Sequence, residues 1–568
     1  MRSGPRSQGA LLRRLLVILA LISLVAAACG GGGDDKGGST EEGGGIVKSE
    51  ESDEGKPVLG GTLNYGVEAE SAGWQPCVDS HSESGTIAMR GIYDTLMARA
   101  TDGKVQPLLA ESLTPNATST EWVLKLRSGI KFHDGTPLDS AAVKTNFDAA
   151  KAPTSRCAGA LTPVTSLEVV DPLTVKYVLA SPYGAFAEVL GGAVGMIYSP
   201  TNAAAKGADV SANPVGAGPF VFKAWERDSK LTLEKNPNYF QKGVPYLDSV
   251  IFKPIPDEDA RLASLSSGEV DVMFTLRQQY VRQARDLGDA VKRYEKVGNQ
   301  SGGSIFNVTQ APVDDKRVRK ALAHALNQDD LVKILGGEGI TPSSTQFFSK
   351  DSPFYSEKVA AAYPKLDIAK GKAFVDEYVK DPARSDKKPV GAPIEVLFNC
   401  PPDPTLVAVA QAYQQMAAAV GIKMELKQVE QATHINNAVG KPPFTAADYM
   451  INCWRLGGQS DPDSILFNQY SPPEGQAANV TNFNNPEVQA LLKIGREESD
   501  FDKRFDAYEK IGLIFADELP HVWTGSTAGS TVTKPNVANV LTYKFPDGKS
   551  KGEVELAVTN IGQLWVTK

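Results

Sequence analysis

The chain has 568 residues, of which 42% are hydrophobic and 22% charged, a balance typical of a globular protein with enough length for a large core. Its formal net charge is −8, from 59 Lys and Arg against 67 Asp and Glu. No basic run follows the N-terminal segment, which argues against nucleic acid as a partner.

The first 28 residues have the pattern of a signal peptide. Four arginines precede an unbroken stretch of small and apolar residues over 15–28. Its 28 − 15 + 1 = 14 residues are too few for a membrane span of roughly 20. Cys29 follows three alanines, where a lipobox places the lipidated cysteine, although a lipobox usually has Leu where this chain has Ala26. We expect lipidation of Cys29; cleavage after Ala28 without lipidation is the alternative.

Residues 29–57 are rich in Gly, Ser, Asp, Glu and Lys, with too few apolar side chains to fold. A flexible coil of this length averages roughly 30 Å from end to end. Removal of the signal takes away four Arg and no acid, so the mature charge is 55 − 67 = −12. We therefore expect a folded body on a lipid-anchored tether, on the extracytoplasmic side of the cell membrane.

Four further cysteines are present: Cys77, Cys157, Cys400 and Cys453. In an exported protein an even set predicts disulfides, with three possible connectivities. A zinc site is the alternative, but the chain has no CxxC pair and no His at ligand spacing from a Cys.

The first part of the body alternates short strands and helices. Residues 121–127 alternate polar and apolar side chains, as a half-buried strand does, and residues 130–132 continue them as a hairpin-like unit. Asp139 is a suitable N-cap for a helix over 140–151, with Val143 and Phe147 on one face. Further predicted elements are a strand at 62–66, a helix at 84–96 and a hairpin at 167–170 and 174–179.

The second part begins with paired strands at 218–225 and 230–235, a strand at 250–254, a helix at 257–267 and two helices within 313–335. Strands at 394–399, 423–426 and 449–452 follow, with an apolar helix at 406–420 between the first two. Strand, helix and strand in this order predict a parallel sheet. After residue 522 the pattern returns to short strands.

Five groups of motifs occur in order along the chain: GIYDTLM (91–97); WVLKLR (122–127) with GIKFHDGTP (129–137); PVGAGPF (214–220) with NPNYF (236–240); ARL (260–262) with SGEVD (267–271); and VRKAL (318–322) with ALN (325–327). Together they resemble the extracellular solute-binding proteins of family 5, the oligopeptide, dipeptide and nickel receptors of ABC importers. The resemblance covers most of residues 58–540.

The resemblance implies an α/β, two-lobed periplasmic-binding-protein type II fold with an extra subdomain on the N-terminal lobe. The boundaries that it implies are 58–90, 215–305 and 522–568 for lobe one, 91–214 for the subdomain and 306–521 for lobe two. The chain would cross between the lobes near 305 and 521, where hinges would absorb closure.

In open parallel sheets, ligands lie beyond the carboxyl ends of the strands. Two such ends here carry Asn399-Cys400 and Asn452-Cys453. If these strands are neighbours, both cysteines lie at one level beside the cleft, and we therefore pair Cys400 with Cys453 and Cys77 with Cys157. Two unrelated buried thiols are the alternative.

On this mapping Trp74, Asn399, Trp454 and Trp523 would line the cleft, although a loop Trp is as often a packing residue. Dipeptide receptors of the family carry an acidic residue soon after the Trp, whereas 455–460 holds none and begins with Arg455. Arg455 is a candidate partner for a ligand carboxylate or phosphate, with a structural ion pair as the alternative. For Asp461, turn formation is the alternative to ligand contact.

The turn 132–137 contains adjacent His and Asp but shapes a turn rather than a catalytic site, and HExxH, GxSxG and phosphate-loop motifs are absent. We expect no enzyme activity, no cofactor and no metal. The expected function is that of a monomeric substrate-binding lipoprotein, which captures a peptide-like or other organic solute and delivers it to an ABC permease. A sensing or surface lipoprotein of the same fold, not coupled to transport, is the main alternative, and an exported hydrolase is another.

Overall fold

The computed structural model describes residues 55–79, 81–101, 103–439, 448–454, 461–471, 479–553, 556 and 558–567. The predicted signal peptide, Cys29 and almost all of the tether lie outside these residues. The strands, numbered in chain order, are β1 (Thr62–Val67), β2 (Met97–Arg99), β3 (Val105–Pro107), β4 (Ala110–Pro115), β5 (Glu121–Leu126), β6 (Val164–Asp171), β7 (Thr174–Leu179), β8 (Phe220–Glu226), β9 (Lys230–Lys235), β10 (Ser249–Pro254), β11 (Val272–Thr275), β12 (Lys292–Phe306), β13 (Ile394–Cys400), β14 (Ile422–Gln428), β15 (Ile451–Trp454), β16 (His521–Thr533), β17 (Val537–Ala538), β18 (Thr542–Lys544), β19 (Lys551–Glu553) and β20 (Trp565–Val566).

The α-helices, numbered in the same way over the described residues, are α1 (Glu83–Ile92), α2 (Ser140–Lys151), α3 (Phe186–Val189), α4 (Pro200–Lys206), α5 (Glu258–Ser267), α6 (Gln278–Asp286), α7 (Lys316–Ala325), α8 (Gln328–Ile334), α9 (Glu357–Ala362), α10 (Ile368–Lys380), α11 (Pro404–Ala419), α12 (Gln431–Val439), α13 (Asp463–Tyr470), α14 (Pro486–Glu497) and α15 (Phe501–Glu518). Short 3₁₀ turns cover Ala158–Leu161, Ala193–Gly195, Gly207–Ala212, Gly288–Ala290 and Ile561–Gln563.

Helix α2 shows how closely local sequence determines an element. The Asp139 carboxylate accepts the backbone N–H of Ala142 at 2.9 Å and so caps the helix where the sequence predicts. Val143 and Phe147 are both buried, which confirms the predicted apolar face.

The expected hairpin after β5 is wrong. Residues 130–132 do not pair with β5: Lys131 forms an antiparallel bridge with Pro137, and the Phe132 N–H donates to the Thr136 carbonyl oxygen at 2.9 Å. The Gly135 N–H closes the turn between them by donating to the Phe132 carbonyl oxygen at 2.9 Å. Gly135 has a φ of 85°, a left-handed conformation that favours glycine. Strand β5 instead pairs with β4 and β7 in a four-stranded sheet of order β4-β5-β7-β6.

A ten-stranded sheet joins most of the chain, in the order β14-β13-β15-β12-β16-β11-β1-β10-β9-β8. Strand β13 runs parallel to both β14 and β15, as the strand–helix–strand pattern predicts. The two central strands, β12 and β16, are antiparallel to each other.

Three large hydrophobic cores lie around this sheet. The body around the first is here called lobe one, and its core includes Leu63, Phe220, Phe252 and Leu564. The body around the second is called lobe two, and its core includes Phe306, Leu322, Phe398, Tyr413 and Phe515. The body around the third is called the subdomain, and its core includes Leu109, Leu124, Phe147, Tyr177 and Phe186. The exact domain boundaries given above stay a prediction.

Strands β12 and β16 connect lobe one to lobe two. Their pairing runs from Lys292 opposite Thr533 to Ile305 opposite His521, with irregularities between Val297 and Ser301 and again at Gly303. A Cβ on Gly303 would lie 2.0 Å from the Val522 carbonyl oxygen, so the two backbones approach closely here. These strands are where the predicted hinges fall.

A disulfide ties the loop after β1 to the subdomain. Cys77, in the loop after β1, is bonded to Cys157, and their Cα atoms are 5.2 Å apart. The Arg156 N–H also donates to the Cys77 carbonyl oxygen at 2.9 Å. This pairing is the one expected from the sequence.

Candidate functional site

The carboxyl ends of β13 and β15 meet at one edge of lobe two. The strands are parallel neighbours, with Asn399 opposite Asn452. The next residue on each strand forms the second expected disulfide, Cys400–Cys453, with Cα atoms 5.4 Å apart. A disulfide therefore links two strands at the edge of the sheet where ligands bind in open α/β folds.

Two amide side chains lie beside this disulfide without protein partners. Asn452 is fully buried, and neither atom of its amide has a hydrogen-bond partner among the described residues. Asn399 is 3% exposed, and its Oδ1 lacks a partner in the same part of the chain. A buried amide without a hydrogen bond costs about 1–3 kcal/mol, so a water molecule or a ligand that bonded to these two amides would remove that cost.

Trp454 ends β15 and is half-buried. Its ring centroid lies 6.3 Å from that of His434, and its Nε1 has no partner within the described ranges. His434 Nε2 donates to the Cys453 carbonyl oxygen at 2.8 Å, and burial lowers the pKa of this imidazole. The neutral His434 thus supports Trp454 next to the disulfide.

Trp523 lies in the core of lobe two and is 1% exposed. Its ring stacks on His521 with centroids 3.9 Å apart, and its backbone N–H donates to the Tyr363 hydroxyl at 3.1 Å. Burial lowers the pKa of His521 to about 3, so the stacked imidazole is neutral. These contacts show a packing role, and contact of Trp523 with a ligand stays a prediction.

Trp74 lies in the core of lobe one, a different core from that of Trp523. It is 4% exposed and packs edge-on against Trp225, with centroids 5.3 Å apart. Its Nε1 is buried without a partner in the described part of the chain. The structure therefore brings Asn399 and Trp454 together on lobe two and places Trp74 apart from them.

Asp461 forms a structural ion pair. Both of its carboxylate oxygens accept from Arg504 Nη2, at 2.7 and 2.9 Å, and its Oδ1 also accepts the N–H of Asp463. Asp463 in turn pairs with Arg496, at 2.9 and 3.1 Å. The Asp-Pro-Asp segment thus anchors α13 to α14 and α15, and ligand contact by Asp461 stays a prediction.

Arg455 lies outside the described residues, so its role as a carboxylate partner stays a prediction. One charged contact that the sequence did not indicate joins the lobes near the same edge. Arg277, just after β11, donates to Asp403 at the start of α11 over 3.2 Å, and its Nε lies 3.2 Å from Glu258 Oε2. Because α11 follows the disulfide directly, this contact bridges lobe one and lobe two beside the strand ends.

No helix among the described residues is long and apolar enough to cross a membrane. In that same part of the chain no three His, Cys, Asp or Glu side chains are grouped so that they could hold a metal ion. His133 has a structural role, because its Nε2 donates to the Gly218 carbonyl oxygen at 3.0 Å.

Two lobes joined by β12 and β16, with buried unpartnered amides at strand ends of lobe two, have the architecture of two-lobed solute-binding proteins. Comparison with known proteins agrees with this class. Residues 104–477 match the family model described as bacterial extracellular solute-binding proteins, family 5 Middle. The chain belongs to this family.

The chain is 27% identical over 457 residues to the glutathione-binding protein GsiB of Salmonella paratyphi A, covering 78% of this chain and 85% of that protein. AgaA of A. tumefaciens R10, solved in complex with agropinic acid, is 25% identical with a TM-score of 0.74, covering 89% of this chain and 99% of that one. The oligopeptide-binding protein AppA of Bacillus subtilis, solved with a nonapeptide, has a TM-score of 0.72 at 22% identity, covering 90% and 100%. The similarity to AppA concerns the fold alone.

Proposed function

We propose that this protein captures a small carboxylate-bearing, peptide-like solute between lobe one and lobe two and delivers it to the permease of an ABC importer. The family membership and the two-lobed architecture support capture and delivery. The chemical class of the solute rests on the candidate site and on the relatives.

The observation that carries the proposal is the pair of buried amides at the ends of β13 and β15. Asn452 offers both a donor and an acceptor, and Asn399 offers an acceptor, all without partners among the described residues. A peptide-like solute carries backbone N–H and C=O groups that complement such amides. The adjacent half-buried Trp454 supplies an apolar and aromatic surface.

Charge supports a carboxylate-bearing solute over an ordinary peptide held by its amino terminus. Residues 455–460 contain no acid and begin with Arg455, whose guanidinium can pair with a carboxylate through two hydrogen bonds. GsiB is named as a glutathione-binding protein, and AgaA was solved with agropinic acid. Glutathione carries two carboxylates on a short peptide-like chain, and it is therefore the first solute to test.

The proposal also includes the location of the protein. A lipid on Cys29 would hold the monomeric body near the outer face of the cell membrane, where the permease is. The polar segment after Cys29 would act as the flexible tether.

The test uses Asn452→Leu in the full-length protein, with glutathione titrated by calorimetry. If Asn452 completes its hydrogen bonds with the solute, this near-isosteric change weakens binding about 10-fold or more. The same change removes an unpartnered buried amide, so it raises the unfolding temperature of the solute-free protein.

The matched control is Asn146→Leu in the subdomain. The Asn146 amide is also buried but is paired with the backbone of Ala142 and Tyr198 at 2.9–3.0 Å. This control is expected to lower stability without changing the affinity for glutathione. If Asn452→Leu destabilises the protein and leaves the affinity unchanged, the amide is structural and the proposed site is wrong.

A further inference from the structure

Tyr183 and Gly184 of the subdomain contact lobe two. The Tyr183 hydroxyl donates to the Asp463 carboxylate at 3.1 Å, and the Gly184 N–H donates to the Arg496 carbonyl oxygen at 2.9 Å. Tyr183 and Asp463 are 3% and 2% exposed, so this is a buried contact and not a surface encounter.

The lobe-two side of the contact is preassembled. Asp463 is held by Arg496 through two hydrogen bonds of 2.9 and 3.1 Å. The Arg496 guanidinium lies 3.3 Å from the centroid of the Phe467 ring and 5.1 Å from that of Tyr183. Because Asp463, Arg496 and Phe467 all belong to lobe two, the Tyr183 side chain can leave without breaking the ion pair.

The subdomain side is fixed to lobe one. Met196 and Tyr198 pack into the core of lobe one, whereas Ile197 between them packs into the core of the subdomain. The Asn146 amide of the subdomain also donates to the Tyr198 carbonyl oxygen at 2.9 Å. Lobe two is joined to lobe one through β12 and β16. If the lobes open by rotation about these strands, Tyr183 moves away from Asp463, and the contact then belongs to the closed form.

Gly184 shows that the approach is close. A Cβ at this position would lie 2.1 Å from the carbonyl oxygen of Glu498 and 2.5 Å from its carbonyl carbon. Gly184 does not have a left-handed φ, so the backbone conformation itself accepts any residue. Glycine is needed here because a side chain would clash with lobe two when the subdomain docks on it.

We propose that residues 181–186 are a latch by which the subdomain holds the two lobes closed, with Tyr183 and Gly184 docking on Asp463 and Arg496. The inference rests on the proposed function, because it assumes that the lobes close on a solute. The latch touches no solute; it sets the fraction of protein in the closed form, and the apparent affinity falls in proportion to that fraction. Its polar groups can be hydrated when the lobes open, which suits a contact that forms and breaks.

The decisive variant is Gly184→Ala, with Gly192→Ala as its control. A Cβ on Gly192 would meet nothing closer than the Val189 carbonyl oxygen, at 3.7 Å, and Gly192 has an ordinary φ of −97°. Both variants add one methyl to the same part of the subdomain, but only the first blocks docking.

Hydrogen–deuterium exchange on the full-length protein in detergent, without added solute, reads the latch directly. We expect the amides of residues 183–186 and 494–498 to exchange at least about 10-fold faster in Gly184→Ala than in wild type or Gly192→Ala, with β13 unchanged. Equal exchange in Gly184→Ala and Gly192→Ala would overturn the latch. Faster exchange throughout Gly184→Ala would mean loss of folding, and Tyr183→Phe then decides by the same comparison, with Tyr177→Phe as its control.

Glutathione titration adds the link to binding. Loss of a hydrogen bond to a carboxylate in Tyr183→Phe is expected to weaken apparent affinity about 10-fold, and Gly184→Ala more, while Gly192→Ala binds as wild type. Unchanged affinity in both latch variants would show that the contact does not control closure. Failure of the wild type to bind glutathione would count against the proposed solute, and the exchange comparison would still decide the latch.

Discussion

The disulfide between Cys400 and Cys453 closes the edge that carries the candidate site, and its contribution to stability can be worked out. The bond joins residues 53 apart in the chain. We consider the double variant Cys400→Ala/Cys453→Ala, in which neither residue can form a new thiol pair and both positions keep a small apolar side chain.

The expected loss follows from the unfolded chain, which the bond restricts. For a loop of this length the chain-entropy relation gives about 14 cal/mol/K, or about 4 kcal/mol at 25 °C. Cys77–Cys157 closes a loop of 80 residues and by the same relation contributes about 4.5 kcal/mol. The two double variants should therefore lose similar free energies of unfolding.

Guanidinium unfolding under oxidising conditions, followed by tryptophan fluorescence, measures both losses, and a peptide map without reductant verifies the pairings. Cys77→Ala/Cys157→Ala serves as the matched control, because it removes a disulfide from the subdomain and leaves lobe two intact. A loss below about 1 kcal/mol for Cys400→Ala/Cys453→Ala, or free thiols at these positions in native wild type, would refute the reasoning.

Three further predictions concern charge and location. Arg455→Ala should weaken glutathione binding by about 2 kcal/mol if this residue pairs with a carboxylate, and calorimetry that finds no change would assign it a structural role. Burial raises the pKa of Asp94 to about 7, while the Tyr239 hydroxyl donates to its carboxylate at 2.5 Å. Between about pH 4 and 7 Asp94 is thus protonated in the folded protein but ionised in the unfolded chain, so the wild type loses stability as the pH rises. Asp94→Asn does not titrate, and its free energy of unfolding should therefore rise relative to that of the wild type by up to about 4 kcal/mol across this window. If urea unfolding gives the same difference in unfolding free energy between Asp94→Asn and wild type at pH 4 and at pH 8, this prediction is contradicted. Cys29→Ala should move the protein from the membrane fraction to the released fraction, and continued membrane retention would contradict the lipid anchor.

Much of the fold could be predicted because its signals are local or follow a simple rule. The cap at Asp139 and the buried face of Val143 and Phe147 need only helix geometry. The parallel orientation of β13 and β14 follows from strand–helix–strand order. The adjacency of β13 and β15, which brings Cys400 to Cys453, was a condition of the prediction, and the structure confirms it. The predicted pairing of β5 with 130–132 shows the limit, since these residues pair instead with 136–138 across the turn at Gly135.

The long-range contacts could not be predicted, because they depend on residues far apart in the sequence. Asp461 and Asp463 look like turn residues until Arg504 and Arg496 are placed beside them. Tyr183 gives no signal of its partner 280 residues away. That the Asn452 amide lacks partners becomes visible only when its neighbours are known, although the strand-end rule did indicate Asn399 and Asn452 as strand-end positions.

Native mass spectrometry of the full-length protein, purified in detergent without denaturation and then incubated with glutathione, tests the central claim most directly. We expect one added mass, equal to a single small solute, which is reduced in Asn452→Leu and retained in Asn146→Leu. A wild-type protein that takes up no solute mass, and whose unfolding temperature is shifted by none of glutathione, agropinic acid and short peptides, would contradict capture of such a solute between the lobes.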